Sequence, residues 1–467
     1  MLASSPHFKK NIMLRLFAFC LLCCPLLAVS VSAQPAGSPI APPELGPYLY
    51  ETKPDDPAFA SFNPRRAPQP GELLLRKGDR LAICGDSITE QKMYSRLIET
   101  YLTACVPELQ ITARQYGWSG EKTDGFLRRM EKDCLTFSPT IATLAYGMND
   151  SRYRPFDVTN GQWYEDHYTA IVQKFRANDV RVVVGSPGCA GKIATWVKSR
   201  SGTLEQHNLN LCALRDIAIG VAEREQVRFA DIFWPMLQAQ VFAPAQHGAT
   251  EEKPYRVAGS DGIHPGWAGQ VIMAWSMLRS LGLDGDLGTI AIDTESNTAT
   301  ADGGHSIDAY ADGVATVTST RYPFCASGTL HSENSIRSGM TLVPFNEDLN
   351  RFLLKVNAAD GTKWEITWGD QTQTYTADQL AQGINLAWEF PKNPFSESFD
   401  RVDAAVAKKQ AYETQQVKKI FHGPEGKKDF AAAVKETEAV RKPLADAIAD
   451  AMQPVTHKIA IRQVAGE

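Results

Sequence analysis

The chain has 467 residues, 43% of them hydrophobic, and 48 basic against 53 acidic side chains give a formal net charge of −5. That length predicts two to three domains. The near-even charge offers no basic face for nucleic acid, so the partner it suits is a small or neutral substrate.

From the N-terminus, residues 1–33 read as a signal peptide. Lys9, Lys10 and Arg15 precede an apolar stretch from Leu16 to Val29, and Val31-Ser32-Ala33 offers a small-residue cleavage site. The stretch is too short for a membrane span, and no other segment approaches that length. The expectation is a mature protein that is secreted or periplasmic, with no stable membrane insertion after signal cleavage. Cys20, Cys23 and Cys24 would leave with the leader. Residues 34–73 are rich in proline (Pro35, Pro39, Pro42, Pro43, Pro47, Pro54, Pro57) and read as an extended lead-in.

The first structured unit, 74–283, alternates strands with helices. Arg80 to Ile83 reads as a strand feeding Gly85-Asp86-Ser87-Ile88, and Lys92 to Ala104 follows as an amphipathic helix. A serine at such a junction is exposed, and its own N–H is an unpaired helix-terminal donor. A second strand, Leu109 to Gln115, leads into Tyr116-Gly117-Trp118-Ser119-Gly120. A third, Thr140 to Leu144, leads into Tyr146-Gly147-Met148-Asn149-Asp150. Further strands are predicted at Val180 to Gly185 and Val227 to Asp231, with helices at Tyr164 to Arg176, Leu204 to Glu225 and Trp267 to Leu281. This alternation implies a parallel sheet covered on both faces, with ligands at the carboxyl ends of the strands.

Among the nine histidines, His264 follows a carboxylate in a tight Asp-x-x-His turn, Asp261-Gly262-Ile263-His264, directly before a predicted helix. Such a turn lets Asp261 accept from one ring nitrogen and leaves the other to take a serine proton. Six cysteines remain beyond the leader (Cys84, Cys105, Cys134, Cys189, Cys212, Cys325), an even count that permits disulfides without fixing their pairing. Cys84 reads as a buried small hydrophobe. Beyond the leader, no Cys-x-x-Cys pair or His-Glu-x-x-His helix supports a metal site, and no cofactor is expected.

In this order and context, the blocks around Ser87, Gly120, Asn149 and His264 resemble the SGNH hydrolases, also called the GDSL esterase/lipase family, over about two hundred residues. Ile88 stands where the name-giving motif has Leu. The resemblance implies an α/β fold, a three-layer α/β/α flavodoxin-like domain with a parallel sheet. It also implies a catalytic Ser87, Asp261 and His264. The oxyanion hole would be built from the Ser87 N–H, the Gly120 N–H and the Asn149 side-chain amide. Gly120 fits because backbone without Cβ can approach a ligand closely, and Asn149 because its amide is a neutral donor. Asp86 and Asp150 are expected to hold loops.

Past Leu283 apolar and polar residues alternate over Gly313 to Thr320, Met340 to Pro344, Arg351 to Val356, Thr362 to Trp368 and Thr372 to Tyr375. Asp360-Gly361 and Gly369-Asp370 are the turn signals between them. Residues 284–392 are therefore expected to form a small antiparallel β unit, and 393–467 a helical segment with helices over Phe399 to Phe421 and Lys428 to Met452. The expected function is a secreted serine esterase working through an acyl-enzyme on short O-acyl groups, acetyl above all, carried by carbohydrate. Trp118, Tyr146, Tyr153, Trp163 and Trp196 are candidate sugar platforms. The rivals are a lipid or aryl-ester acylhydrolase, and a non-catalytic carbohydrate- or surface-binding protein on the same scaffold.

Overall fold

The computed structural model describes residues 48–359 and 363–464. The expected signal peptide, the first part of the lead-in and the Asp360-Gly361 turn lie outside the described residues. From Tyr48 the lead-in is packed rather than loose. Phe59 and Phe62 are buried, and Tyr50 bridges Arg65. The Arg65 guanidinium lies 3.7 Å from the Tyr48 ring centroid and bonds Glu223 at 2.9 Å.

The sheet of the first unit comprises β1 (Arg80–Gly85), β2 (Thr112–Gln115), β3 (Ile141–Ala145), β4 (Arg181–Gly185) and β5 (Arg228–Ala230). They pair in the order β2-β1-β3-β4-β5, every pairing parallel. Its central strands are near-continuous apolar runs because both faces are covered, and all of β3 is buried, Thr143 included. Each fully buried Ile, Leu or Val there contributes about 1.5–3 kcal/mol relative to exposure. The strand order reverses direction between β1 and β3, and a doubly wound sheet opens its ligand crevice at that point, beyond the strands' carboxyl ends.

The helices around the sheet are α1 (Ser87–Glu90), α2 (Tyr94–Ala104), α3 (Thr123–Asp133), α4 (Val158–Arg176), α5 (Leu204–Arg224), α6 (Phe233–Gln246) and α7 (Trp267–Ser280). The helix predicted from Lys92 begins two residues later because Lys92 is left-handed (φ 57), which breaks the run after α1.

The second half departs from expectation. Its strands are β6 (Asp286–Asp293), β7 (Thr298–Ala301), β8 (His305–Ala311), β9 (Val314–Ser319), β10 (Arg351–Asn357), β11 (Lys363–Trp368), β12 (Gln371–Thr376), β13 (Ile384–Asn385) and β14 (Val455–Gln463). They form two sheets, β13-β10-β6-β7 and β12-β11-β14-β9-β8. The unit is not purely antiparallel, since β10 runs parallel to β6. Met340 to Pro344, predicted as a strand, is the turn between α8 (Ile336–Gly339) and α9 (Phe345–Leu349). Met340 and Val343 are buried at three-residue spacing there, which is helical rather than alternating burial.

The remaining helices are α10 (Ala377–Gln382), α11 (Leu386–Glu389), α12 (Ser396–Gln415), α13 (Pro424–Lys428) and α14 (Phe430–Ala451). A π-helical turn, Gln416–Phe421, continues α12. The segment expected to be helical, with helices ending at Met452, closes instead on a strand, β14, because His457, Ile459 and Ile461 alternate inward and fill a slot between β9 and β11. Helices α12 and α14 cover the open edge of the first sheet. Lys409 Nζ and Arg441 Nη2 both donate to the Ala113 carbonyl on β2, which satisfies an edge acceptor that would otherwise invite another strand.

Candidate active site

Ser87 opens α1 immediately after β1. Asp86 caps that helix, its carboxylate accepting the Ile88 N–H at 2.9 Å, so the serine sits at the helix's positive end. Ser87 Oγ–H donates to His264 Nε2 at 2.8 Å, and His264 Nδ1–H donates to Asp261 Oδ2 at 2.8 Å. The other Asp261 oxygen accepts the backbone N–H groups of Ile263 and His264, both at 2.9 Å. Partial burial would raise the Asp261 acid, but those two N–H bonds and the histidine outweigh it and hold the carboxyl below its usual range. It therefore stays ionised at neutral pH, while its turn fixes the imidazole's tautomer and aim.

Gly120 lies in the turn that follows β2. Trp118 N–H donates to the Gly85 carbonyl at 3.1 Å and Glu121 N–H closes the turn on the Trp118 carbonyl at 3.1 Å. The φ of Gly120 is +72°, a left-handed conformation, yet a Cβ there would meet nothing within 4 Å. Backbone conformation, not crowding, asks for glycine at this position. Gly117 is the reverse case. A Cβ would stand 2.2 Å from the Glu90 nitrogen, so its absence lets the turn press against α1. Among the described residues, neither the Ser87 N–H nor the Gly120 N–H has a protein acceptor.

Asn149 follows β3. Its amide nitrogen donates to Asp86 Oδ2 at 3.0 Å and to the Glu121 carbonyl at 3.1 Å, and its oxygen accepts the Tyr153 hydroxyl at 2.8 Å. Five expected site residues thus come from four loops: Ser87, His264 and Asp261 share one hydrogen-bond chain, and Asn149 bonds the chain neighbours of Ser87 and Gly120, namely Asp86 and Glu121. The Asn149 amide differs from a free oxyanion donor in that both its protons already have protein acceptors.

Two expected loop anchors behave as such. Asp150 accepts from Thr123 N–H (2.9 Å), Thr123 Oγ1–H (2.7 Å) and Gly147 N–H (3.1 Å). Burial pushes the Asp150 acid up to about 6, and burial with the neighbouring Asp150 and Glu121 carboxylates pushes Asp86 up to about 7. Glu121 is buried against Arg129, which grips both its oxygens at 2.7 and 2.6 Å.

The candidate sugar platforms separate. Tyr146 is buried with its hydroxyl on Glu121, and Trp163 is packed by the His167 ring and the side chains of Lys122 and Arg152. Tyr153 is buried and serves Asn149 instead, on a backbone where Arg152 and Tyr153 are both left-handed (φ 53 and 56). Two consecutive non-glycine residues in that region store strain, as loops built around a site often do. Trp118 is half-buried between Arg129, Lys418 and His422. Only Trp196 stands open beside the triad, 50% exposed, its ring stacked 5.9 Å from that of His264.

The six cysteines beyond the expected leader are all buried and unpaired. Among the described residues no helix is long and apolar enough to cross a membrane. Sequence reading missed the supporting residues Glu90, Glu121 and Lys418. Glu90 lies three residues past the serine, a spacing that would have suggested it, whereas Lys418 carries no local signal.

A family model for the GDSL-like lipase/acylhydrolase family matches residues 83–272. Among solved structures, the chain is similar to a gut microbial diltiazem-metabolizing enzyme at 20% identity and a TM-score of 0.66, over 85% of this chain and 100% of that one. This likeness is one of fold, and it extends past the parallel sheet into the second half. A catalytic mutant of an acetylxylan esterase from Geobacillus stearothermophilus matches at 20% identity and a TM-score of 0.36, over 45% of this chain and 97% of that one. No curated protein matches the chain.

Proposed function

Residues 83–272 form a domain of the GDSL-like lipase/acylhydrolase family, an SGNH-type carboxylic ester hydrolase, and from that premise we propose that Ser87, His264 and Asp261 are its catalytic triad. The observation that carries the reading is the pair of 2.8 Å hydrogen bonds running from Ser87 Oγ through His264 to Asp261. A serine hydroxyl is a weak nucleophile until a base takes its proton. As Ser87 Oγ attacks the ester carbonyl, His264 Nε2 takes that proton, and ionised Asp261 stabilises the imidazolium through Nδ1–H. The imidazolium then protonates the departing alcohol. Water, activated by the same nitrogen, hydrolyses the acyl-enzyme.

The developing oxyanion takes the Ser87 and Gly120 N–H groups, with the Asn149 amide as a third donor. Asn149 serves it by sharing a proton now held by a carbonyl or by Asp86. A tetrahedral oxyanion is a stronger acceptor than the Glu121 carbonyl, so this bond strengthens as charge develops.

The substrate we favour carries short acyl esters on carbohydrate, and Trp196 supports this reading. A half-exposed indole stacked beside the base can bind a sugar face or an aryl group at the moment of attack. We further propose that the protein is exported, on the strength of its basic-apolar-small N-terminal pattern. One panel tests the substrate class: aryl acetate, butyrate and longer esters beside acetylated polysaccharide, with Ser87→Ala as blank. Release of acetate from the polysaccharide, weakened in Trp196→Ala, is the expected result. Turnover confined to long-chain esters would point to a lipid acylhydrolase instead.

A further inference from the structure

The segment after residue 393 reaches the turn that carries Gly120 through Lys418 and His422, and Lys418 makes the polar link. Lys418, in the π-helical turn, places its ammonium 2.8 Å from each carboxylate oxygen of Glu90, the last residue of α1. One of those oxygens also accepts the Ser119 N–H at 2.5 Å. Ser119 directly precedes Gly120. The same segment touches this turn twice more, since Lys418 Nζ lies 5.1 Å over the Trp118 ring and the His422 ring sits 5.0 Å from it. π-Helical turns recur at functional sites, where the extra residue re-aims side chains.

We propose that Lys418 is a positioning residue for the oxyanion turn, acting through Glu90, so that the C-terminal helical segment is part of the active-site apparatus. The inference rests on the reading of Gly120 as an oxyanion donor. The aim of the Gly120 N–H depends on the peptide planes on either side of Ser119. Gly120 has no side chain to wedge it, and the space beside it is open. Next to Gly120, the N–H groups of Trp118, Glu121 and Ser119 donate to the Gly85 carbonyl, the Trp118 carbonyl and the Glu90 carboxylate. Of these three acceptors, only the Glu90 carboxylate is a movable side chain. Lys418 fixes that side chain. The neighbouring Lys92 does not replace it, since its ammonium goes to the Glu90 backbone carbonyl. Without Lys418 the carboxylate is free to turn to water, and the donor it anchors loses its fixed direction. Geometry of this kind matters at the transition state, where sub-ångström misplacement is costly, and little in the ground state.

The test compares full-length Lys418→Met and Lys418→Arg with wild type on an aryl acetate, with Ser87→Ala alongside. Lys418→Met should lower kcat by roughly fivefold or more with KM within about twofold. Its Tm should be unchanged, since a partly exposed ion pair adds little to folding stability. Lys418→Arg should recover most of the loss. A smaller fall in kcat, or a fall that Arg does not recover, overturns the proposal. Should Lys418→Met fail to fold, Glu90→Gln is read by the same kcat criterion. The underlying reading has its own outcome: an active Ser87→Ala protein would remove the oxyanion role itself, whatever Lys418 does.

Discussion

Asn149 donates both amide protons to protein oxygens while Tyr153 holds its own oxygen, so the side chain is fixed in one orientation before substrate arrives. Preorganised donors of this type act where charge develops rather than in binding. Asn149→Ala should therefore lower kcat by about 10²–10³ with little change in KM. Kinetics and circular dichroism on one purified variant separate this from a loop-bracing role, which would cost folded protein instead. Asp86, beside it, is buried and pushed up to about 7 from an ordinary 3.8. Its folded state holds the proton more tightly than its unfolded state. The stability it contributes is thus present in full below about pH 4 and is lost as pH rises through about 7. Asp86→Asn removes this titration, so the stability of wild type relative to the variant should decline between pH 4 and pH 8. Urea midpoints at several pH values measure it, and a constant difference would mean that Asp86 does not titrate in that window.

At the scale of elements, β14 is the piece on which the second half depends. It lies between β9 and β11, pairing antiparallel with both, and buries His457, Ile459 and Ile461. Truncation after Met452 would leave two unpaired strand edges and an open apolar slot, conditions that favour aggregation. The expected outcome is insoluble protein, and a soluble truncation with wild-type Tm would show that the sheet closes without it. β14 also marks the limit of what the sequence discloses. Its alternation is clear in hindsight, but its partners β9 and β11 lie far upstream, and α14 precedes it with a strong helical pattern. The turns after β1, β2 and β3, and the Asp261–His264 turn, were legible because each is a local motif whose residues act within a few positions of one another. Glu90 and Lys418, 328 residues apart, meet only through packing. The same holds for Tyr153, whose sequence context suggested a sugar platform and whose burial turned it toward Asn149.

Across the whole molecule, the parallel sheet sets where chemistry can occur and the remaining chain shapes its surroundings. The reversal between β1 and β3 opens the crevice, three consecutive strand ends deliver Ser87, Gly120 and Asn149 to it, and the loop before α7 brings His264. The later helices close the sheet's edge at Ala113 and reach the turn that carries Gly120 from the outside. In the triad proposed for this arrangement, Ser87 is the group that attacks. The direct measurement is kcat of purified, folded Ser87→Ala on an aryl acetate. The account predicts a loss of roughly 10⁴-fold or more against wild type, with circular dichroism unchanged. A folded Ser87→Ala protein that turned over the ester near the wild-type rate would contradict it.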